Sequence, residues 1–484
     1  MNQCRALLLL ILLSAARLHA DATASRANAS RPEHVSVHRL ELEAWKAAEA
    51  RGWMPPGDTG AARRAPRAPR IAALTHEVHG YHPYWMGASY LAYDWSRLST
   101  IAFFGIELDG TGAVTNAHAW PWNGLVTTAH EHGVRVIVTA VCNTTAAVDA
   151  LLGSSTSRQA AITNIVSAVT AGGADGASVD FEGVSGTRKQ ALVTFLGDLR
   201  AALNVAIPSS YLSIATPAVD WSNAFDYDEL AAHCDHLMIM AYDYHWSSST
   251  TTGPVSPLAG WGTYNVGWTI ADYVMWGAPR TKMLLGVPYY GYRWPAASGS
   301  AGAATTAVAT SLTYSNAVQE AVAQGRLWDA PSSTPWYREQ TPAWRQGWYD
   351  DDSSLAAKYA RVLAEDLAGV GVWALGYDGT RPELWAAIGN AFDPATSSVG
   401  DGVSLLSASP NPFRDSIVFR FAPPRENAPL TIHDVRGRLV RVLEPDTRAW
   451  DGRGADGRAV ANGVYLVHLH DGTRVRTHRI VRVP

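Results

Sequence analysis

Asp175-Gly176-Ala177-Ser178-Val179-Asp180-Phe181-Glu182 alternates apolar with polar side chains after Gly176. In an extended strand successive side chains point to opposite faces, so Ser178, Asp180 and Glu182 share one face while Ala177, Val179 and Phe181 take the other. Carboxylates on the inner face of a core strand cost several kcal/mol each unless they are paired or functional. Such a face is expected where parallel strands end at a working rim, and in a (β/α)8 barrel the C-terminal strand ends form that rim.

Outward from this stretch the chain shows seven more strand candidates: residues 78–81, 100–106, 134–141, 212–217, 236–242, 283–289 and 371–375. Helical patterns lie between them. Leu192, Phe195, Leu196, Leu199 and Leu203 keep one face apolar, with Thr187 as the expected N-cap. Eight strands alternating with helices predict an α/β (β/α)8 TIM barrel. A doubly wound open sheet is the alternative, but neither a GxGxxG nor a P-loop sequence follows an early strand. Residues 294–352 are too long for one βα loop and carry a helical stretch at 315–324, which predicts a small α+β insertion after strand seven. Residues 403–484 alternate apolar and polar residues in short runs parted by turns, the pattern of a C-terminal β-sandwich.

The expected organisation is a signal peptide over 1–20, a linker over 21–73, the barrel over 74–393, a second linker over 394–402 and the sandwich over 403–484. The signal reading rests on Arg5, the apolar run 6–16 and small residues at Ala20 and Ala24. The first linker is rich in Ala, Arg and Pro and includes one amphipathic helical stretch at 35–50. A formal net charge of -4 gives no global basic field, which argues against nucleic acid as a partner. With 19 Trp and 19 Tyr against 9 Phe, the aromatic content favours rings with a polar handle, as sugar clefts use. Beyond Cys4, Cys142 and Cys234 are expected to be small buried side chains.

Four motifs carry a resemblance: 175–182, Met240-Ala241-Tyr242-Asp243, Gly286-Val287-Pro288-Tyr289-Tyr290-Gly291 and Gly371-Val372-Trp373-Ala374-Leu375. In that order they resemble the strand-four, strand-six, strand-seven and last-strand motifs of the family 18 glycoside hydrolases. The resemblance implies secreted hydrolysis of β-1,4 bonds next to N-acetylglucosamine by a substrate-assisted retaining route. It implies Glu182 as general acid, Asp180 as the group orienting the acetamido N–H, and Tyr242 as the group holding the acetamido oxygen. Trp373 would be the floor of the sugar site, with Asp243, Tyr81, Tyr290 and Ser178 lining it. Ser178 departs from the family pattern, which has an aspartate there. The flanking text 179–184 and 373–378 is closer to spore-wall N-acetylglucosaminidases than to chitinases, so chitin and peptidoglycan both stand as substrates. A non-catalytic, lectin-like barrel is the alternative function.

The C-terminal stretch resembles type IX secretion sorting domains through Ser409-Pro410-Asn411-Pro412-Phe413, Asp434-Val435-Arg436-Gly437-Arg438 and Gly463-Val464-Tyr465. The resemblance implies an extracellular or outer-surface location and the secretion machinery as a partner. A wall-binding module is the alternative. No metal or cofactor is expected: His82 and His245 show no ligand spacing, and 451–457 reads as a turn rather than a calcium loop. The chain is expected to be a monomer.

Overall fold

The structure is a computed structural model of the 484-residue chain, and it describes residues 35–53, 57–58, 74–393, 404–422, 430–434, 438–444, 449–471 and 474–483. The expected signal segment, the low-complexity run 61–70 and the second linker lie outside the described residues. The chain divides into two units, Met1–Pro394 and Ala395–Pro484.

The first unit is built on eight parallel strands: β1 (Glu77–Pro83), β2 (Thr100–Leu108), β3 (Arg135–Cys142), β4 (Gly176–Phe181), β5 (Tyr211–Pro217), β6 (His236–Met240), β7 (Met283–Pro288) and β13 (Gly369–Trp373). They run β1-β13-β7-β6-β5-β4-β3-β2, and β2 pairs back with β1 to close the barrel. The open-sheet alternative is thereby excluded. At the start of β4 a Cβ on Gly176 would lie 1.9 Å from the Tyr211 carbonyl oxygen, so glycine lets β4 and β5 approach at the barrel floor. Phe181 points outward onto Phe195 of the helix Lys189–Ala206, with ring centroids 5.3 Å apart. That helix buries Leu192, Phe195, Leu196, Leu199 and Leu203 as its spacing predicts. Ser185, not Thr187, caps its approach: the Ser185 hydroxyl accepts from Thr187 N at 3.3 Å and opens a 3-10 turn.

Strand β6 ends at Met240 rather than at Tyr242. Ala241 N and Tyr242 N each donate two residues back, to Ile239 O at 2.7 Å and Met240 O at 2.8 Å, which replaces ladder pairing with tight turns. Asp243 follows at φ 57°, in the left-handed region.

The insertion begins directly after β7 and forms a five-stranded antiparallel sheet. Its strands are β8 (Tyr290–Pro295), β9 (Thr310–Thr313), β10 (Leu327–Asp329), β11 (Thr334–Gln340) and β12 (Trp344–Tyr349), ordered β9-β8-β12-β11-β10, with the helix Tyr314–Gln324 completing the α+β unit. The second unit holds a three-stranded and a four-stranded antiparallel sheet. Phe413, Ile417, Phe419, Ile432, Trp450 and Val467, drawn from both sheets and their connections, form its core.

Residues 37–49, inside the stretch read as a linker, form a packed element rather than a spacer. Helix α1 (Val37–Glu49) is capped by Ser36, whose hydroxyl accepts from Arg39 N at 3.1 Å, and it buries Val37, His38 and Leu42. The 3.6-residue period puts His38, Glu41, Leu42 and Trp45 on one face. That face lies in the barrel mouth.

Candidate active site

The inner face of β4 carries Ser178, Asp180 and Glu182 up the barrel in steps of two. Ser178 Oγ lies 3.1 Å from the Tyr81 hydroxyl, deep in the interior. Glu182 N donates to Cys142 O at 3.0 Å, so the strand direction persists to the rim, where the Glu182 side chain is 14% exposed. Asp180 is 1% exposed; its Oδ2 lies 3.1 Å from His38 Nδ1, and its Oδ1 has no hydrogen-bond partner.

Tyr242 enters from the opposite wall. A Cβ on Gly286 would meet the Ile239 carbonyl oxygen at 2.2 Å and Tyr242 Cε1 at 3.1 Å, so the first glycine of the strand-seven motif makes room for this ring. Burial, followed by the neighbouring Tyr81 and Asp180, raises the Tyr242 hydroxyl well above its ordinary value and keeps it a proton donor. Tyr290 donates to Asp243 Oδ1 at 2.5 Å and fixes that carboxylate, while Val37 N donates to Asp243 Oδ2 at 3.1 Å. Trp373 closes the floor, edge-on to Phe104 at 4.7 Å. The structure thus gathers all eight residues singled out in the sequence, with Ser178 and Tyr81 deeper in the barrel than the rest.

Two groups missed in the sequence share this space. His38 bridges Asp180 and the Tyr242 hydroxyl, at 2.8 Å from the latter, and its ring stacks on Trp373 at 3.7 Å with an interplanar angle of 29°. Glu41 accepts from Trp373 Nε1 at 3.1 Å and from the Tyr377 hydroxyl at 2.7 Å. Burial would lower the His38 imidazole, but the charge and hydrogen bond of Asp180, with Glu182 and Glu41 behind them, reverse this and raise it. Desolvation pushes the Glu41 carboxyl up to about 7, against hydrogen bonds from Tyr377 and Trp373. The amphipathic period of 35–50 was the available signal for both residues.

On the other side of Glu182 an open cavity of about 340 Å³ is lined by Tyr242, Asp243, Trp221, Trp246 and Tyr264, with Ser36 at its edge. These three further aromatics sit in loops after β5 and β6, where a barrel builds its site. His38, Asp180 and Glu182 offer ligand atoms within 4.8 Å of one another and are the set among the described residues that could hold a cation. His82 is buried between the Tyr93 hydroxyl and Gly87 O and held down to about 3 by burial, so it is a structural group. His245 bonds Pro254 O at 3.0 Å.

The chain is 30% identical over 246 residues to a Bacillus subtilis (strain 168) protein named as a sporulation-specific glycosylase, covering 49% of this chain and 54% of that protein. It is 26% identical over 337 residues to mouse di-N-acetylchitobiase, covering 61% and 84% of the two chains. It thus spans about half the length of the Bacillus relative. Among solved structures, catalytic domain 2 of the Ostrinia furnacalis group II chitinase aligns with a TM-score of 0.59 at 21% identity over 66% of this chain and 96% of that one. A chitinase-like agglutinin from Robinia pseudoacacia gives 0.59 at 20% identity over 66% and 99%. At these identities the two structures speak to the fold alone. Residues 407–483 match the secretion system C-terminal sorting domain, which indicates export to the cell surface or beyond. Residues 83–378, spanning the motifs on β4, β6, β7 and β13, match the glycosyl hydrolases family 18, and the chain belongs to that family.

Proposed function

We propose that the barrel is a glycosidase that cleaves β-1,4 bonds next to N-acetylglucosamine with retention of configuration. The observation that carries this reading is the convergence of Asp180, Glu182, Tyr242 and Trp373 on the C-terminal rim beside an aromatic-lined cavity. In the proposed reaction the Glu182 carboxyl gives its proton to the glycosidic oxygen as the bond to the anomeric carbon breaks. The substrate's own acetamido oxygen attacks that carbon and forms an oxazolinium ion, so no protein nucleophile is used. Asp180, with Oδ1 unengaged, would accept the acetamido N–H, and the Tyr242 hydroxyl would donate to the acetamido oxygen. The Glu182 carboxylate then takes a proton from water as the water oxygen attacks the anomeric carbon and reopens the ring.

Peptidoglycan glycan is the substrate we favour over chitin, on the flanking motif text at 179–184 and 373–378. A lectin-like barrel is the second reading, supported by Ser178 in place of the family aspartate. Reducing ends released from chitin oligosaccharides and from purified peptidoglycan, by the mature chain and its Glu182→Gln variant, test both. Hydrolysis lost in the variant supports the acid role; oligosaccharide binding with no hydrolysis by either protein supports the lectin.

A further inference from the structure

We propose that helix α1 is a built-in competitive inhibitor, with His38 occupying the position of the reacting N-acetylglucosamine. The inference rests on the glycosidase reading for what the site binds. Trp373 is 0% and Asp180 1% exposed, so the sugar floor and the acetamido-orienting carboxylate are sealed, and Tyr242, 4% exposed, keeps only an edge on the open cavity. The cover is α1 itself. His38 lies flat on the Trp373 ring at 3.7 Å, as a pyranose lies on an aromatic floor. Nδ1 lies 3.1 Å from Asp180 Oδ2, where an N–H there donates to the carboxylate, and Nε2 lies 2.8 Å from the Tyr242 hydroxyl, so one planar ring engages both groups. An acetamido group would reach the same two partners, its N–H toward Asp180 and its oxygen toward the Tyr242 hydroxyl. His38 Nδ1 also lies 3.5 Å from Glu182 Oε1, which places the imidazole against the acid.

The rest of α1 is shaped to hold that plug. Its first backbone N–H, at the positive end of the helix dipole, meets Asp243. Glu41 takes the Trp373 indole N–H and the Tyr377 hydroxyl, and Leu42 is buried one turn after His38. Trp45 stacks toward Trp85 at 6.2 Å and packs on Trp53 at 4.5 Å. Lys46 reaches Glu107 on β2 at 3.0 Å. Farther along, Asp58 accepts from the Tyr90 hydroxyl at 2.8 Å and from Gly124 N at 2.7 Å, which ties the returning chain to the barrel. A positioning role for His38, as a partner of Asp180 during turnover, would place the imidazole beside the sugar, whereas it stands on the Trp373 floor where the sugar would lie. The aromatic cavity beyond Glu182 stays open, so the block acts on one side of the scissile bond only.

The test uses the full mature chain and its His38→Ala/Leu42→Asp double variant, with hydrogen exchange over residues 37–49 reporting release of the helix. Oligosaccharide binding is measured with chitotriose, and turnover with chitotriose and purified peptidoglycan. A site held 99% closed weakens apparent binding about a hundredfold, so the variant should bind and hydrolyse on the order of 100-fold better. A synthetic peptide of residues 35–53, added to the variant, should restore inhibition in competition with substrate. Equal turnover by both chains with α1 released, or turnover reduced in the variant at unchanged affinity, overturns the inhibitor role and leaves the glycosidase reading standing. Binding gained without hydrolysis in either chain keeps the plug and sinks the glycosidase. No gain in binding on release overturns the plug.

Discussion

Raising the pH should open the site, because the docked form of α1 carries more protons than the released form. Glu41 keeps its proton up to about 7 when docked, against an ordinary 4.5, so between those values the released carboxyl ionises while the docked one does not. Docking is fully favoured below the lower value and weakens as pH climbs to the upper one. The shift corresponds to at most about 3 kcal/mol, or ~300-fold in the docking equilibrium, and less where water reaches the stem of Glu41. His38 is also raised by docking, so its contribution falls away above 6.5, in the same direction. The groups facing these two are Asp180 from β4, Glu182 just after it, Tyr81 from β1, Tyr242 and Asp243 after β6, Tyr292 from β8, and Trp373 and Tyr377 at β13; Glu107 of β2 faces Lys46. The assay is the ratio of initial rates of the mature chain and the His38→Ala/Leu42→Asp variant from about pH 5 to about pH 8.5, a ratio in which the catalytic pH profile cancels. It should climb toward one with pH, and Glu41→Gln should flatten its lower half. A ratio that is constant, or falls with pH, refutes the reasoning.

In the released background, Glu182→Gln should lower kcat by at least ~10³ with chitotriose affinity retained, since a near-isosteric amide cannot deliver the proton; a tenfold loss would move the acid elsewhere. Tyr242→Phe should cut kcat by ~10–100-fold with little change in KM, read from steady-state kinetics. Lys358 and Asp350 are an ion pair with both side chains 0% exposed, so Lys358→Ala should destabilise the barrel by about 3–5 kcal/mol in denaturant unfolding, whereas a surface pair would cost under ~1 kcal/mol. Burial, then His236 and Arg135, holds His79 down to about 3. Its neutral ring leaves stability intact above 6.5 and erodes it as pH falls from there toward 3, because the unfolded chain takes up the proton first. His79→Leu should flatten that acid limb in thermal melts between about pH 6 and about pH 4, and an unchanged limb would place the acid sensitivity in other groups.

The barrel was legible because its information is local. Strand β4 announces its two faces by alternation, and Leu192 to Leu203 announce a helix by period. The end of β6 was not legible, since Tyr242 sits in a turn made by two backbone hydrogen bonds that no side-chain pattern records. The same limit hid the cleft's aromatics: Trp221, Trp246 and Tyr264 lie in loops, where sequence carries no period to mark which rings meet. α1 is the sharpest case. Its amphipathic face was visible at 35–50, but an apolar stripe says only that a helix must dock, and the surface it docks on is 142 residues away at Asp180 and 332 away at Trp373. Chemistry could have narrowed the search. A histidine and a glutamate three residues apart on the buried side of a helix need polar partners, and the barrel mouth offers both acids and donors.

The plug also bears on which polymer the protein cuts. Residues 407–483 match a secretion system C-terminal sorting domain, which indicates export to the cell surface or beyond, and an exported hydrolase of wall glycan would meet its own substrate on the way. For a chitinase an open site during that passage would meet no substrate, and a helix costing the enzyme most of its activity would have no evident use. For a peptidoglycan hydrolase the same helix would protect the wall until export is complete. Occlusion by α1 therefore gives a reason to prefer wall glycan that the fold does not, since the fold serves chitinases and agglutinins alike. The released variant, offered chitotriose and peptidoglycan at equal concentrations of N-acetylglucosamine, decides the point by the ratio of kcat/KM: a preference for chitotriose would separate the plug from the wall and leave it without this rationale.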